Sequence, residues 1–128
     1  KVLERMLVIK AAERATADQR QALRVLAAHI DAAGADLEGF LRLDFRLGEL
    51  LGAASHNPYL IQGLAAMHSQ CRRLWYLHRS QADLLRATRL HGTLSRTVAE
   101  GSGAGAVRAL DEIIAILDSL VHRLDVLS

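Results

Sequence analysis

Apolar side chains recur at intervals of three and four residues along almost the whole chain, which is the period of an amphipathic helix. This pattern predicts six helices, the first running from about Leu3 to Arg14. Thr16 and Gln19 have the spacing of a capping box, in which each side chain binds the backbone N–H of the other residue, so a second helix begins here. Gly34 ends that helix, because glycine readily adopts the backbone conformation found just beyond a helix.

Residues that favour helix starts mark the later elements. Asp36 begins the third helix and Asn57-Pro58 the fourth, since asparagine accepts hydrogen bonds from free backbone N–H groups and proline fits the first helical position. The fifth helix begins near Ser80, and the glycine-rich segment 101–105 separates it from the sixth. Because all connections are short, we expect consecutive helices to lie antiparallel in one all-α bundle.

The composition favours the same fold. Leucine and alanine fill 44 of the 128 positions, whereas valine, isoleucine and threonine together fill 17. This balance suits helices, because a β-sandwich or barrel would need more β-branched and aromatic residues. The single cysteine, Cys71, excludes an intramolecular disulfide and a cysteine-based zinc finger. Without an apolar run of about 18 residues or a signal peptide, the sequence predicts a cytoplasmic protein with no membrane partner.

The charge is close to balanced but unevenly distributed. The net charge is +2, which is too small to indicate a general nucleic-acid surface, yet arginine outnumbers lysine 14 to 2. Residues 72–96 are mainly basic and residues 100–128 mainly acidic. We interpret this as a solvated basic face that can pair with the last helix. Arginine also binds carboxylates and phosphates through two parallel hydrogen bonds, so it can anchor an anionic ligand.

Polar residues interrupt the apolar faces at two places. Asp44 lies in the middle of the inward stripe of the third helix, one turn before Gly48, and His91 lies inward on the fifth helix. A buried carboxylate is costly unless it is paired, and glycine within a helix costs about 1 kcal/mol relative to alanine. These residues predict an internal polar site, or else a buried Asp–His hydrogen bond with no ligand. His68 and His78, at or near the inner face of the fourth helix, are interpreted as core or rim histidines.

No catalytic motif accompanies these residues. The chain contains no Gly-x-Ser-x-Gly, no His-Glu-x-x-His and no Cys/His cluster, and the segment 101–105 lacks the spacing and the lysine of a phosphate-binding loop.

Several stretches together resemble the C-terminal effector domain of GntR-superfamily transcription regulators, of the FadR-like type known as the FCD domain. They are Glu13–Thr16, Asp36–Asp44, Ala53–Leu60 and the run from His91 to Leu110. The resemblance covers essentially all 128 residues. It implies that residues 1–128 form a single effector-binding and dimerisation domain, an antiparallel helical bundle. Because the chain opens in a helical pattern without an initiator methionine, we expect a fragment whose winged helix-turn-helix domain is absent.

The resemblance also implies a function. Such a domain binds a small effector, often a carboxylate-bearing metabolite, and forms a homodimer. Effector binding changes how the DNA-binding domains contact operator DNA, so this chain by itself is expected not to bind DNA specifically. The implied protein regulates transcription and is not an enzyme.

Many members of the family hold zinc or nickel through an aspartate and three histidines. The family motif Asp-x-x-Phe-His falls on residues 44–48, which keeps Asp44 but places Gly48 at the first histidine. The next histidine matches His91, and the last falls on Ile113. Zinc normally takes three or four protein ligands, so this site is incomplete.

A third metal ligand would have to come from His68 or His78, and no cofactor is required by this interpretation. Gly48 makes the implied pocket roomier and Ile113 makes it more apolar. We therefore expect a less polar effector whose acid group is held by an arginine. The candidate anchors are Arg5, Arg46, Arg72 and Arg79.

Two alternatives belong to other classes. A structural dimerisation bundle would place Asp44 and His91 in direct contact and have no cavity. A small metal-dependent enzyme would use the same two residues as metal ligands.

Overall fold

The computed structural model describes residues 2–34, 36–78 and 80–127, with side chains left undescribed at positions 66, 67, 78 and 124–127. The described residues form six helices and no strand. The helices are α1 Val2–Arg14, α2 Ala17–Ala33, α3 Leu37–Ser55, α4 Pro58–His78, α5 Gln81–Ala99 and α6 Gly103–Leu127. This confirms the predicted all-α fold.

The helix starts follow the predicted capping residues. The Gln19 backbone N–H donates to Thr16 Oγ1 at 3.1 Å, and the Thr16 N–H donates to Gln19 Oε1 at 2.9 Å, which completes the capping box of α2. The Asp36 carboxylate accepts from a backbone N–H in the first turn of α3. Asn57 Oδ1 accepts from two N–H groups of α4, and Ser80 Oγ accepts from one of α5. Each side chain satisfies donors that a helix start leaves free.

The glycine-rich connection is shorter than predicted. Helix α6 begins at Gly103, so only the first part of segment 101–105 is non-helical. Ser102 Oγ accepts from the Gly105 N–H at 3.1 Å. This cap starts a helix even though Gly103 and Gly105 in its first turn have low helix propensity.

The helices that pack together most extensively are not always consecutive in the chain. Helix α1 packs mainly against α3 and α6 rather than against α2, whereas α2 packs against α5 and α3, and α5 packs against α6. The reason lies in α1, whose apolar face of Leu7, Val8 and Ala11 enters the main core. That core joins residues from all six helices.

Arg20 of α2 joins three helices. Its guanidinium donates to the carbonyl oxygens of Val98 and Ala99 at the end of α5, at 3.1 and 3.3 Å, and to that of Ala12 near the end of α1, at 3.0 Å. A cation placed at two helix C-termini satisfies free carbonyls and opposes their negative dipole ends. Arg20 therefore has a structural role, in contrast to arginines that could bind a ligand.

A second, smaller apolar cluster lies at the other end of the bundle. Its members are Phe40, Trp75, Leu84, Ala87, Ile116 and Leu120. In the part of the chain that is described, no helix has the length and apolar character needed to cross a membrane.

Candidate functional site: an interior cavity

A cavity of about 330 Å³ lies inside the bundle, with walls from α1, α3, α4, α5 and α6. Most of its lining is apolar, with residues from both apolar clusters. The polar residues among the lining are Glu4, Asp44, His68, Cys71, Arg72, His91 and Asp118. Mainly apolar walls with a few polar groups are typical of a small-molecule site.

Asp44 and His91 meet in the wall of this cavity. His91 Nε2 donates to Asp44 Oδ1 at 3.0 Å, and Nδ1 donates to the Ala87 carbonyl oxygen at 2.7 Å. The His91 side chain is 7 % exposed and that of Asp44 22 %. The Phe40 ring packs edge-on against the imidazole, with 5.0 Å between ring centroids. Both ring nitrogens thus face oxygen atoms, which fixes the orientation of the imidazole.

The His91 contact controls the ionisation of Asp44. Burial by itself would raise the pKa of this carboxyl group, because a low-dielectric surrounding disfavours charge. The hydrogen bond and charge of His91, with smaller contributions from His68 and Arg72, outweigh burial and hold the pKa of Asp44 below its ordinary value. The site therefore contains a stable carboxylate.

His68 and Arg72, one turn apart on α4, face the same space. Arg72 donates to the Ser69 hydroxyl at 3.3 Å, and its guanidinium carbon lies 5.4 Å from the centre of the Phe45 ring. Burial and then the Arg72 charge lower the pKa of His68, against the opposing effect of Asp44 and Glu4. Arg72 therefore carries the positive charge on this wall when His68 is neutral.

A second cavity, of about 240 Å³, adjoins the first between α3 and α4. Phe45, Glu49, Ile61, Ala65 and Ser69 line it and are exposed, so this cavity is an outer cleft. The residues that line both cavities are Leu7, Gly48, His68 and Arg72. These four residues form the junction between the inner cavity and the outer cleft.

The structure brings together most of the residues singled out in the sequence. Those that line the inner cavity are Asp44, Gly48, His68, Arg72, His91 and Ile113. It does not bring Arg5 and Arg46 there: Arg5 pairs with Asp111 at 2.9 Å and Arg46 with Glu49 at 3.6 Å on the exposed surface. Arg79 and the side chain of His78 lie outside the part of the chain that is described.

Sequence reasoning missed Glu4, Trp75 and Asp118 as cavity residues. Helical spacing could have indicated two of them. Glu4 lies three residues before buried Leu7, and Asp118 lies four residues after Ile114, which also lines the cavity. Residues three or four positions apart share a helix face. Trp75 packs in the second apolar cluster and also borders the cavity.

The residues present do not fit the four-ligand metal site that the family resemblance implies. Gly48 and Ile113 supply no ligand atom at two of its positions. Among the described residues, no group of three His, Cys, Asp or Glu side chains is arranged to hold a metal ion, so His68 does not complete a set with Asp44 and His91. Their ligand atoms instead bind each other.

An all-helical bundle with a mainly apolar interior cavity and few polar groups has the architecture of a ligand-binding regulatory domain. The sequence profile of the FCD domain matches residues 1–115. The chain therefore belongs to the FCD domain family, the C-terminal effector-binding domains of GntR-family regulators. No curated protein and no solved structure matches the chain.

Proposed function

We propose that this chain is the ligand-sensing and dimerisation domain of a bacterial GntR-family transcription regulator, and that its inner cavity binds a small carboxylate-bearing metabolite. The observation that carries the proposal is a cavity of about 330 Å³ in the core of an FCD domain, bordered by a guanidinium group. Apolar walls would bind the body of such a ligand, and the cation would bind its acid group.

Arg72 is the proposed carboxylate anchor. Of the four arginines considered from the sequence, it is the one that the described structure places at the cavity. Its described contacts are with neutral groups, the Ser69 hydroxyl and the Phe45 ring. A guanidinium can donate two parallel hydrogen bonds to a carboxylate. His68, one turn earlier, could add a third donor.

The proposed mechanism is a shift between dimer arrangements. An effector that binds one arrangement more tightly favours it by the difference in binding free energy. In the parent protein, operator DNA would be contacted through an N-terminal winged helix-turn-helix domain, so effector binding would change DNA affinity in the cytoplasm. Sedimentation of the chain over a concentration series tests dimerisation, and a monomer at all concentrations, with and without bound carboxylate, would contradict it.

A non-catalytic role accords with the chemistry of the cavity. Burial raises the pKa of the Cys71 thiol, which keeps it protonated and a poor nucleophile. Asp44 and His91 are bonded to each other rather than to a serine or cysteine. In a regulatory domain, Cys71, Asp44 and His91 would only determine the shape and the electrostatic potential of the pocket.

Two observations favour the alternative of a purely structural bundle. Asp44 and His91 are in direct contact, and no buried side-chain nitrogen or oxygen in the described residues lacks a hydrogen-bond partner. That alternative also requires a collapsed interior, however, and the inner cavity measures about 330 Å³. We therefore favour ligand binding.

Trp75 provides a direct test of ligand binding, because it is the single tryptophan and borders the inner cavity. Titration of the 128-residue chain with monocarboxylates, dicarboxylates and acyl thioesters should change its fluorescence for at least one class. Arg72→Gln should weaken that binding by about tenfold or more, as expected for loss of a charge-assisted hydrogen-bond pair.

Arg73→Gln is the matched control, because Arg73 is the exposed neighbour on α4 and does not line either cavity. It should bind like the wild type. No response to any class, in fluorescence or in thermal stability, would contradict the proposed function.

A further inference from the structure

Gly48 is a glycine that local packing does not explain. Apart from the backbone of its own helix, a Cβ atom built on it would have its nearest neighbour, His68 Nδ1, at 3.8 Å, which is ordinary van der Waals contact. One turn later, a Cβ on Gly52 would lie 3.0 Å from Ile61 Cγ1, which is too close without a shift. Close helix packing therefore accounts for Gly52, whereas position 48 has room for a methyl group and still holds glycine.

The position of Gly48 in the cavity system suggests what this space is for. Gly48 belongs to the junction, opposite His68 and Arg72, where the inner cavity meets the outer cleft. Five of the eleven residues that line the outer cleft are exposed, whereas most of the apolar lining of the inner cavity is buried and its exposed residues are Asp118 and Val121 of α6. The missing side chain thus lies where a ligand would pass from solvent to the interior.

The basic and acidic residues are distributed unevenly over the two cavities. Of the basic residues that line the inner cavity, Arg72 and His68 belong to the junction, and the third, His91, is bonded to Asp44. The carboxylates of Glu4, Asp44 and Asp118 all line the inner cavity. A ligand anion is therefore favoured beside Arg72 and His68, whereas a second anion would lie against walls that are mainly apolar and carry carboxylates.

We propose that ligands pass over Gly48 between α3 and α4, and that the effector is an elongated monocarboxylate whose apolar end enters the inner cavity while its acid group stays at Arg72. This inference rests on the proposed function and specifies the ligand class for that site. Gly48 is then a specificity-determining residue, because a side chain there narrows the junction without removing any polar contact.

The first test compares octanoate with suberate, which has the same number of carbons and a second carboxylate. Titration of the wild-type chain, followed by Trp75 fluorescence, should give at least about tenfold tighter binding for octanoate, because the far carboxylate of suberate would lose water against mainly apolar walls that carry carboxylates. Equal binding of the two acids, or tighter binding of suberate, would overturn the inferred ligand class.

The second test enlarges residue 48. Gly48→Ala should weaken octanoate binding and slow its association, and Gly48→Leu should lower both by about tenfold or more, since it fills the junction. The controls are Gly63→Ala and Gly63→Leu on α4. A Cβ on Gly63 would meet Leu3 Cδ1 at 3.7 Å, nearly the same clearance, and Gly63 lines neither cavity.

Both alanine variants should keep the helical circular dichroism signal and raise Tm by roughly 2–4 °C, as alanine is the better helix former. Gly48→Ala therefore tests the passage even if Gly48→Leu fails to fold. If the Gly48 variants bind octanoate with the same affinity and association rate as the matching Gly63 variants, the inferred route over Gly48 is wrong. The proposed function would be unaffected by that result. A wild-type chain that responds to no carboxylate would overturn both.

Discussion

The imidazole of His91 on α5 donates from Nε2 to Oδ1 of Asp44 on α3, across 3.0 Å in the wall of the inner cavity. Because Nδ1 of the same ring is held by the Ala87 carbonyl oxygen, the imidazole is fixed at both nitrogens. The pair occupies two of the positions at which the family resemblance implied metal ligands. It thus joins α3 and α5 directly through side chains.

We expect Asp44→Ala to lower the free energy of unfolding by about 1–3 kcal/mol, because it leaves the buried Nε2 of His91 without a partner. Urea denaturation followed by circular dichroism measures this. Asp111→Ala is the control, since it breaks the exposed pair with Arg5 and should cost no more than about 1 kcal/mol. Equal losses for the two variants would show that the buried pair contributes no more than a surface ion pair.

The stability contributed by the Asp44 carboxylate should depend on pH in a defined direction. Its pKa in the folded state lies below the ordinary value of 3.8, so the contribution is complete well above that value. This contribution to stability begins to be lost when the pH falls below 3.8, and it is lost completely once the pH is below the folded-state pKa. Asp44→Asn removes this titration, so the wild type should be the more stable protein at pH 6, with the difference shrinking toward pH 3. A difference that stays constant over this range would contradict the lowered pKa.

Protonation of His68 should strengthen anion binding at the junction. Burial lowers the pKa of His68 below 6.5, so the ring is mostly neutral at pH 7, beside Arg72 and facing the carboxylates of Asp44 and Glu4. A bound anion favours the protonated ring and raises its pKa. Affinity should therefore rise as pH falls below 6.5, with a limit of about tenfold for each unit by which the ligand raises the pKa.

Octane sulfonate is the suitable probe for this pH dependence, because its charge is constant over the range. His68→Gln should remove the dependence while it keeps a hydrogen-bond donor near Arg72. A pH dependence that persists unchanged in His68→Gln would assign it to a different group.

Arg20→Ala should destabilise the bundle by about 2 kcal/mol, because three carbonyl oxygens at the ends of α1 and α5 lose a charged donor. Arg24→Ala is the control: Arg24 lies one turn further along α2 and donates to exposed Gln21. The change for Arg24→Ala should be less than about 0.5 kcal/mol. Thermal unfolding of both variants measures the contrast, and similar Tm values would argue against a structural role for Arg20.

Local chemistry made the helices predictable. Thr16, Asp36, Asn57 and Ser80 each cap the helix that was assigned to them, since a capping hydrogen bond involves residues only two or three positions apart. The importance of Asp44 and His91 was also visible in the sequence, because a charged group within an apolar stripe is costly wherever that stripe packs.

The anchor residue could not be chosen from the sequence. The sequence does not distinguish Arg5, Arg46 and Arg72 as ligand anchors, because each lies on a helix with an apolar face. The first two pair with carboxylates on the surface, and Arg72 lines the cavity, because helix rotation and packing set the direction of each side chain. The packing of α1 against α3 and α6 was not predictable either, since it depends on contacts distant in sequence.

The sequence by itself determined six helices, their caps and the polar interruptions at Asp44 and His91, because these depend on propensities and spacings within a few residues. Tertiary structure alone decided that those two side chains meet, that Arg72 and His68 border the cavity, and that Gly48 lies at a junction. The physical reason is that a cavity is the space left between helices. Its shape and charge depend on how all of them pack together, and no single helix specifies that.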